Sequence, residues 1–426
     1  MANHAAKHLA TIPAGTLFAG IDLSLDDLIV VVLNAASAQL DRFHADNSAA
    51  GYEQLRQRLQ RTVEKHHASG VWVGMEPTNY YWKPVGYDLE RHQIPFRLVN
   101  ALTVKRHREG DHLDRSKDDW RDAFTIADLL RNGKFTETQL PRGVYAELQA
   151  GYTAYQRLRR DRGRQSTLLI TTVRQLFPEF EQVFKNISTG TASAAIQAGL
   201  EPRVICATSE DTYVASVRCH YVGHRFHAVR VRRLYALAAH SQGYPEATTA
   251  LSLMAKQQLE TLHLLDRQAG QLLRTLLRLF HTLPEAPYLL SIQGLPAPSA
   301  LGLVAYTGDL RQYPHGSALI KLAGTQPTPN VSGRKTYSQT PFSHQGRSGL
   351  RTVAFFITLR LLTQNEAIHY HYQRLTTRSE HPLPKMQAVG ACMNKLLWYV
   401  WHVANRRERY DCGRWRSLTS MVLAHG

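Results

Sequence analysis

The sequence predicts an α/β domain over residues 1–140 followed by a mostly helical remainder. Two observations carry that expectation. Before residue 140, strand-like apolar runs come first and then alternate with helical patterns, the order of a sheet covered by helices. After it, two long amphipathic stretches, 145–177 and 246–280, repeat with helical periodicity.

Taken in order, LFAGIDL (17–23) and DLIVVVLN (27–34) read as strands joined by the tight turn Ser24–Asp26, with a third strand near Ala38–His44. Ser48–His67 reads as a helix through Tyr52, Leu55, Leu59 and Val63. VWVGME (71–76) is a buried strand ending in a carboxylate; Tyr80–Arg91 is a helix and IPFRLV (94–99) another strand. Thr103–Arg115 is a polar, basic loop containing Lys105 and Arg106. A helix starts near Ser116 or Lys117 and stops at Asn132-Gly133. Past Leu140, the 145–177 helix carries Arg157, Arg159, Arg160, Arg162 and Arg164 in its first half. Residues 180–245 read as mostly helical, with a second basic cluster, HRFHAVRVRR, at 224–233. In the 246–280 helix, Leu262, Leu265, Ala269, Leu272, Leu276 and Leu279 follow spacings of three and four. That is either the seam of a self-associating coiled coil or an intramolecular core face. A turn through Gly294 and Pro296, able to offer backbone N–H groups to phosphate, leads to a helix and to a short one at 318–323. A loop without hydrophobic periodicity fills 325–351, and closing helices cover 350–375 and 383–405. The expected domains are 1–140, a helical linker 141–283, and 284–426.

Composition narrows the function. Lys and Arg total 51 against 34 acids, a net charge of +17 in 426 residues, with a pI near 9.8. Such a balance draws polyanions through counterion release, and the excess of Arg over Lys suits bidentate phosphate contacts. No apolar run is long enough for a membrane span, no secretory signal opens the chain, and the 4 scattered cysteines make neither a disulfide framework nor a zinc site. The expected location is therefore the cytoplasm, near the nucleoid, with nucleic acid as partner and no membrane. Tyr410 and Trp415 interleave with arginines in the tail, an arrangement that either stacks unpaired bases or packs the last helix.

Five residues are candidates for chemistry. Asp22 and Glu76 lie in or at the end of apolar strands, where a carboxylate is costly unless its charge is compensated. Asp119 and Asp122 share a helix face at i, i+3. A divalent cation is one compensation, placed where it would stabilise the attacking or leaving oxygen of a phosphoryl transfer. The competing roles are a turn acid at Asp22, a helix cap at Glu76, and solvated charges near the helix dipole at Asp119 and Asp122. Asp118 lies i, i+4 from Asp122, so periodicity alone does not choose between Asp118 and Asp119. Ser332, followed by Gly333 and flanked by Arg334, Lys335, Arg347 and Arg351, is either an ordinary turn serine or a nucleophile set among cations for a phosphodiester.

With these segments in order, the sequence resembles the DEDD-type transposases of the bridge-RNA-guided insertion sequences, whose N-terminal domain is RuvC-like, an RNase H-like fold. The resemblance rests on GIDLS around Asp22, GMEPT around Glu76 and SKDDWRDAFTIADLL around Asp119 and Asp122. In the C-terminal half it rests on SIQGLPAPSALGLVAYTGDLRQY, on LAGTQPTPNVSG ending at Ser332-Gly333, and on HQGRSGLR. The family's Lys-x-Asp-x-x-Asp-Ala pattern falls on Lys117, Asp119, Asp122 and Ala123, which selects Asp119 over Asp118. The resemblance implies Mg²⁺ held by Asp22, Glu76, Asp119 and Asp122, and covalent attack on DNA by Ser332. It also implies an active site shared between protomers of a dimer or tetramer, and a structured noncoding bridge RNA that pairs with donor and target DNA, so that base pairing reads sequence. The chain departs from the family at His344-Gln345-Gly346, where a Lys usually precedes the Gly, and at Gln293-Gly294-Leu295-Pro296 in the turn. Lys105, Arg106, Arg157, Arg159, Arg160, Arg164, Arg334, Lys335, Arg347 and Arg351 are the expected nucleic-acid contacts. Two rival expectations are a RuvC-like junction nuclease using metal-activated water, which does not need Ser332, and a noncatalytic RNA-binding protein, which does not need the acids.

Overall fold

The computed structural model describes residues 8–77, 80–101, 103–104, 106–107, 118–136, 139–328, 331–332, 335–336 and 341–415. The chain divides into two compact units, Met1–Leu140 and Pro141–Gly426.

In the first unit, β1 (Thr16–Leu23), β2 (Asp27–Leu33), β3 (Gln39–Asp46), β4 (Gly70–Met75) and β5 (Phe96–Leu98) form one sheet in the order β3-β2-β1-β4-β5. The first three strands run antiparallel as a meander, while β4 and β5 join β1 in parallel. The β1–β2 turn is tight because the Ser24 hydroxyl accepts the Asp27 N–H at 2.9 Å. Strand alternation sorts the side chains. Leu17, Ala19, Ile21 and Leu23 face α1 (Ala49–Lys65) and α2 (Trp82–Arg91), packing on Leu55, Leu59, Val85 and Leu89. Ser48 caps α1, its hydroxyl accepting the Gly51 N–H at 3.2 Å. The opposite face is covered by α3 (Asp119–Arg131), whose Ala123 and Ala127 pack on Val31 and Leu33. The expected strands-first α/β layout holds, with boundaries moved by one or two residues.

In the second unit, α4 (Gly143–Leu176) and α5 (Thr248–His281) lie along each other as a long helical hairpin. Gly151 permits the approach, since a Cβ there would sit 2.4 Å from Leu276 Cδ2. Leu262, Ala269 and Leu276 of the predicted seam are buried within this chain, so the core-face alternative describes them. Five short helices between Phe180 and Ala238 close a core around Leu169, Phe177, Phe180, Leu259 and Leu262. The other end of the hairpin shares a core with α6 (Ala297–Thr307), α7 (Gly316–Ala323), α8 (Ser348–Gln364), α9 (Glu366–Thr377) and α10 (Lys385–Arg406).

Two expectations in this unit are corrected, and one left open is decided. The helix expected over 350–375 is two: Asn365 leaves helical geometry at φ −130°, ψ 114°, and its side chain accepts the Ile368 N–H to start α9. Tyr410 and Trp415 do not present free faces for bases. Trp415 is 2% exposed, lies 4.7 Å from the Tyr399 ring centroid and stacks with Tyr410, so burial of two large rings holds the tail on α10. Finally, the 325–351 stretch contains paired strands, described below. No described helix is long and apolar enough to cross a membrane.

Candidate active site

Two sequence choices bring the N-terminal acids together. Phe18, Gly20 and Asp22 alternate onto the α3 face of β1, and at Gly20 the helix rests directly on the sheet. A Cβ at residue 20 would lie 2.0 Å from the Ala123 carbonyl oxygen and 2.4 Å from the Ala127 nitrogen. Only glycine permits that approach. Gly74 of β4 is similarly covered, with Ile126 Cγ2 3.1 Å from its absent Cβ position. The seated helix sets its first turn at the end of β1. Asp118 is spent on capping: its side chain accepts the Trp120 N–H at 3.1 Å. Asp119 and Asp122, one turn apart, reach Asp22, and carboxylate oxygens of the three lie within 4.8 Å of one another. Parallel pairing of Ile21 with Met75 places Glu76 beside Asp22, one residue beyond β4.

The electrostatics match this crowding. Burial first, then Asp122, Asp119 and Glu76, push the Asp22 carboxyl from 3.8 up to about 6, while the Leu23 N–H, donating to Oδ1, pulls it back. Like charges held this close without compensation cost stability. An all-oxygen donor set of this spacing fits a hard divalent cation. Asp119, the first residue of α3, joins the cluster, while Asp118 at the cap position is not among the three that converge.

Asp128, one turn from the end of α3, was not among the expected residues. Its carboxylate accepts from Ser37 at 3.0 Å, from Arg131 at 2.7 Å and from Asn132 at 2.8 Å, and His107 Nε2 lies 3.2 Å away. These bonds keep its pKa below the ordinary value against the opposing effect of burial. They tie the segment carrying Arg106 to α3. Arg106 itself is exposed; Lys105 lies outside the described residues.

In the second unit, Ser332 stands in a β-ribbon. Val331–Ser332 pairs antiparallel with Lys335–Thr336, in the register Val331↔Thr336 and Ser332↔Lys335. Lys335 is thus the direct cross-strand neighbour of Ser332; Gly333 and Arg334 lie outside the described residues. The ribbon's base is well tied. The Thr328 N–H donates to the Pro341 carbonyl at 2.9 Å, and Ser343 N–H to Gln326 at 3.0 Å. Asn394 of α10 donates to the Thr325 carbonyl at 3.0 Å. Gly390 leaves room for Phe342, whose Cζ lies 2.6 Å from where a Cβ would be. Arg351 donates to the Ala323 carbonyl at 2.9 Å and Arg347 to that of Tyr306, so both cations brace the foot of the ribbon. The Gly294 turn also has its carbonyl occupied, by Arg360 Nε at 3.1 Å.

The basic helix divides. Arg157, Arg159, Arg160 and Arg164 are exposed, and Arg157, Arg160 and Arg164 fall on one face by their spacing. Arg162 is paired with Asp266 of α5 at 3.1 Å, and exposed Arg164 lies 3.6 Å from Asp161 of its own helix. In the second basic cluster, Arg232 is engaged by Glu210 and Asp211.

The chain is similar to known proteins over both of its units. A DEDD-type transposase profile of the IS110 kind matches residues 19–178. A second profile, Transposase IS116/IS110/IS902 family, matches residues 286–373. A Streptomyces coelicolor protein assigned as the mini-circle transposase for IS117 is 22% identical over 406 residues, 93% of this chain and 95% of that protein. Among solved structures, Thermus thermophilus RuvC aligns at 14% identity over 28% of this chain and 98% of RuvC, with a TM-score of 0.21. The chain thus matches, in chain order, both domain models of the IS110-family transposases, and it is a DNA transposase.

Proposed function

We propose that the chain is an RNA-guided DNA recombinase that cuts and rejoins donor and target strands through a Ser332–DNA phosphodiester, assisted by Mg²⁺. The observation that carries the reading is the convergence of Asp22, Asp119 and Asp122, with the Asp22 carboxyl pushed up by burial and by those neighbours, in a chain bearing both transposase domains. Asp22, Asp119, Asp122 and Glu76 would hold Mg²⁺, which when bound supplies charge neutralisation at the scissile phosphate.

The chain's own chemistry runs through the ribbon. Ser332 Oγ forms a bond to phosphorus as the P–O3′ bond breaks. The serine proton goes to a nearby base or water, and the departing 3′ oxygen is protonated in turn. The cations of this stretch, Lys335 among them in backbone register with Ser332, would favour the alkoxide and the charge that develops on the phosphoryl oxygens. Because the energy of the broken ester is kept in the serine ester, a 3′ hydroxyl of another strand reverses the step without ATP. Exposed Arg157, Arg159, Arg160 and Arg164 would follow nucleic-acid backbone, with Arg106, Lys105 and Arg334 as further contacts. A structured noncoding RNA, paired with both DNAs, would select the sites, and two or four copies joined through the helical middle would bring acids and serine together.

A junction nuclease is the second reading. Its support is that the acid cluster is assembled wholly within Met1–Leu140. Incubating Ser332→Ala protein with the element's RNA and both DNAs separates the two. The serine mechanism expects no recombinant product; full strand exchange by the variant would refute it.

A further inference from the structure

The second unit contains an open pocket of roughly 650 Å³ at the α8–α9 junction, lined by none of the acids of the cluster and by no residue of the ribbon. We infer that it receives a single unpaired nucleobase, adenine by preference, turned out of a DNA strand. Its size is within the range of small-ligand sites. Its chemistry is unusual for so basic a chain: none of the described residues lining it is Lys or Arg, and Glu366 is among them. A phosphate is therefore a poor occupant, and a neutral group that exchanges hydrogen bonds is a good one.

The lining is rich in amides, from Gln293, Gln364 and Gln373, with the rings of His369 and Tyr370 beside them. Side-chain amides pair bidentately with the donor–acceptor edge of adenine, and rings of this kind stack unpaired bases. The frame is set in advance. Buried Asn365 donates to the Gln293 carbonyl at 3.0 Å, and its oxygen accepts from Ile368 N–H at 3.1 Å and from the Tyr410 hydroxyl at 2.9 Å. His369 Nδ1 donates to the Leu362 carbonyl at 2.8 Å, which in the neutral ring leaves Nε2 as an acceptor. A base needs both kinds of partner, and this arrangement offers both. The inference rests on the chain's action on DNA but not on the serine mechanism.

The test uses the full chain and duplexes holding one unpaired 2-aminopurine, one unpaired abasic site or no unpaired residue, with the RNA counterpart of the first. The expected result is roughly tenfold tighter binding of the 2-aminopurine bulge than of the paired duplex, with quenching of its fluorescence. Both are expected to vanish in Gln364→Ala/Gln373→Ala, surface changes that leave the melting temperature in place, and in His369→Ala, and to persist in Ser332→Ala. Equal binding of bulged and paired DNA overturns the inference. So does an equal preference for the abasic bulge, a preference found only with RNA, or a preference retained by both pocket variants.

Discussion

Replacing Asp22 with Asn should make the metal-free protein more stable while abolishing its response to Mg²⁺. The amide keeps the shape of the side chain and can still accept the Leu23 N–H that now reaches Oδ1 at 3.1 Å. What it removes is a charge that the fold holds badly. The Asp22 carboxyl rises from 3.8 to about 6, and at about 1.4 kcal/mol per unit this corresponds to about 3 kcal/mol. Partial exposure screens the group, which reduces the expectation to about 1–2 kcal/mol. The sign follows from proton linkage. Below the unfolded value the carboxyl is neutral in both states and costs nothing. Between that value and about 6 the folded state binds more protons, so stability falls as pH rises, and above 6 the whole cost is present. Urea unfolding in EDTA should therefore show the variant more stable than the parent at pH 7.5 and equal to it near pH 3.5. Adding Mg²⁺ at ten times its dissociation constant should stabilise the parent by about 1.4 kcal/mol and the variant hardly at all. A variant that is no more stable without metal, or that keeps the Mg²⁺ response, refutes the idea that these acids repel one another around a cation site.

Other perturbations test separate links. Gly20→Ala drives a methyl group into the backbone of α3, where 2.0 Å is available; it should cost at least about 3 kcal/mol in urea unfolding and remove the Mg²⁺ response with it. Arg157→Ala/Arg160→Ala/Arg164→Ala should weaken DNA binding and lower the slope of log K against log salt by about 3 in filter-binding titrations, with little change in stability. His371 is pressed from 6.5 down to about 4 by burial, Lys395 and Arg374. Its neutral ring therefore contributes stability above pH 6.5 that is lost as pH falls toward 4, about 2–3 kcal/mol in all, and His371→Gln should flatten that part of the acid-unfolding curve.

How much of this was legible in the residues depends on what each feature needed. Asp22 and Glu76 stood out because strand alternation makes an acid among apolar neighbours conspicuous. Periodicity left Asp118 and Asp119 open and the resemblance chose Asp119; in the structure Asp118 caps the helix and Asp119 stands in the cluster. Gly20 carried a signal, a glycine inside a strand, but its meaning lay in a helix a hundred residues away. The long helices were readable from periodicity, yet periodicity does not say whether a seam meets another chain or α4 of the same one, and Leu262, Ala269 and Leu276 are buried within this chain. The strands at Val331–Ser332 and Lys335–Thr336 are two residues each, too short for alternation to show. The break at Asn365 did have a cue, an Asn before Glu366 at the start of a helical pattern. Likewise, Tyr410 and Trp415 present the same composition whether they stack bases or pack a core. Only the neighbours decide.

Covalent linkage at Ser332 remains the claim most directly open to measurement. Protein trapped on a substrate whose cut strand cannot rejoin should be digested with nuclease and trypsin, and its peptides weighed. The mechanism places a nucleotide remnant on Leu322–Arg334, the tryptic peptide set by Lys321 and Arg334, with fragmentation locating it on Ser332. An adduct on any other residue, or cleaved DNA carrying a free phosphate and no peptide adduct at all, contradicts it.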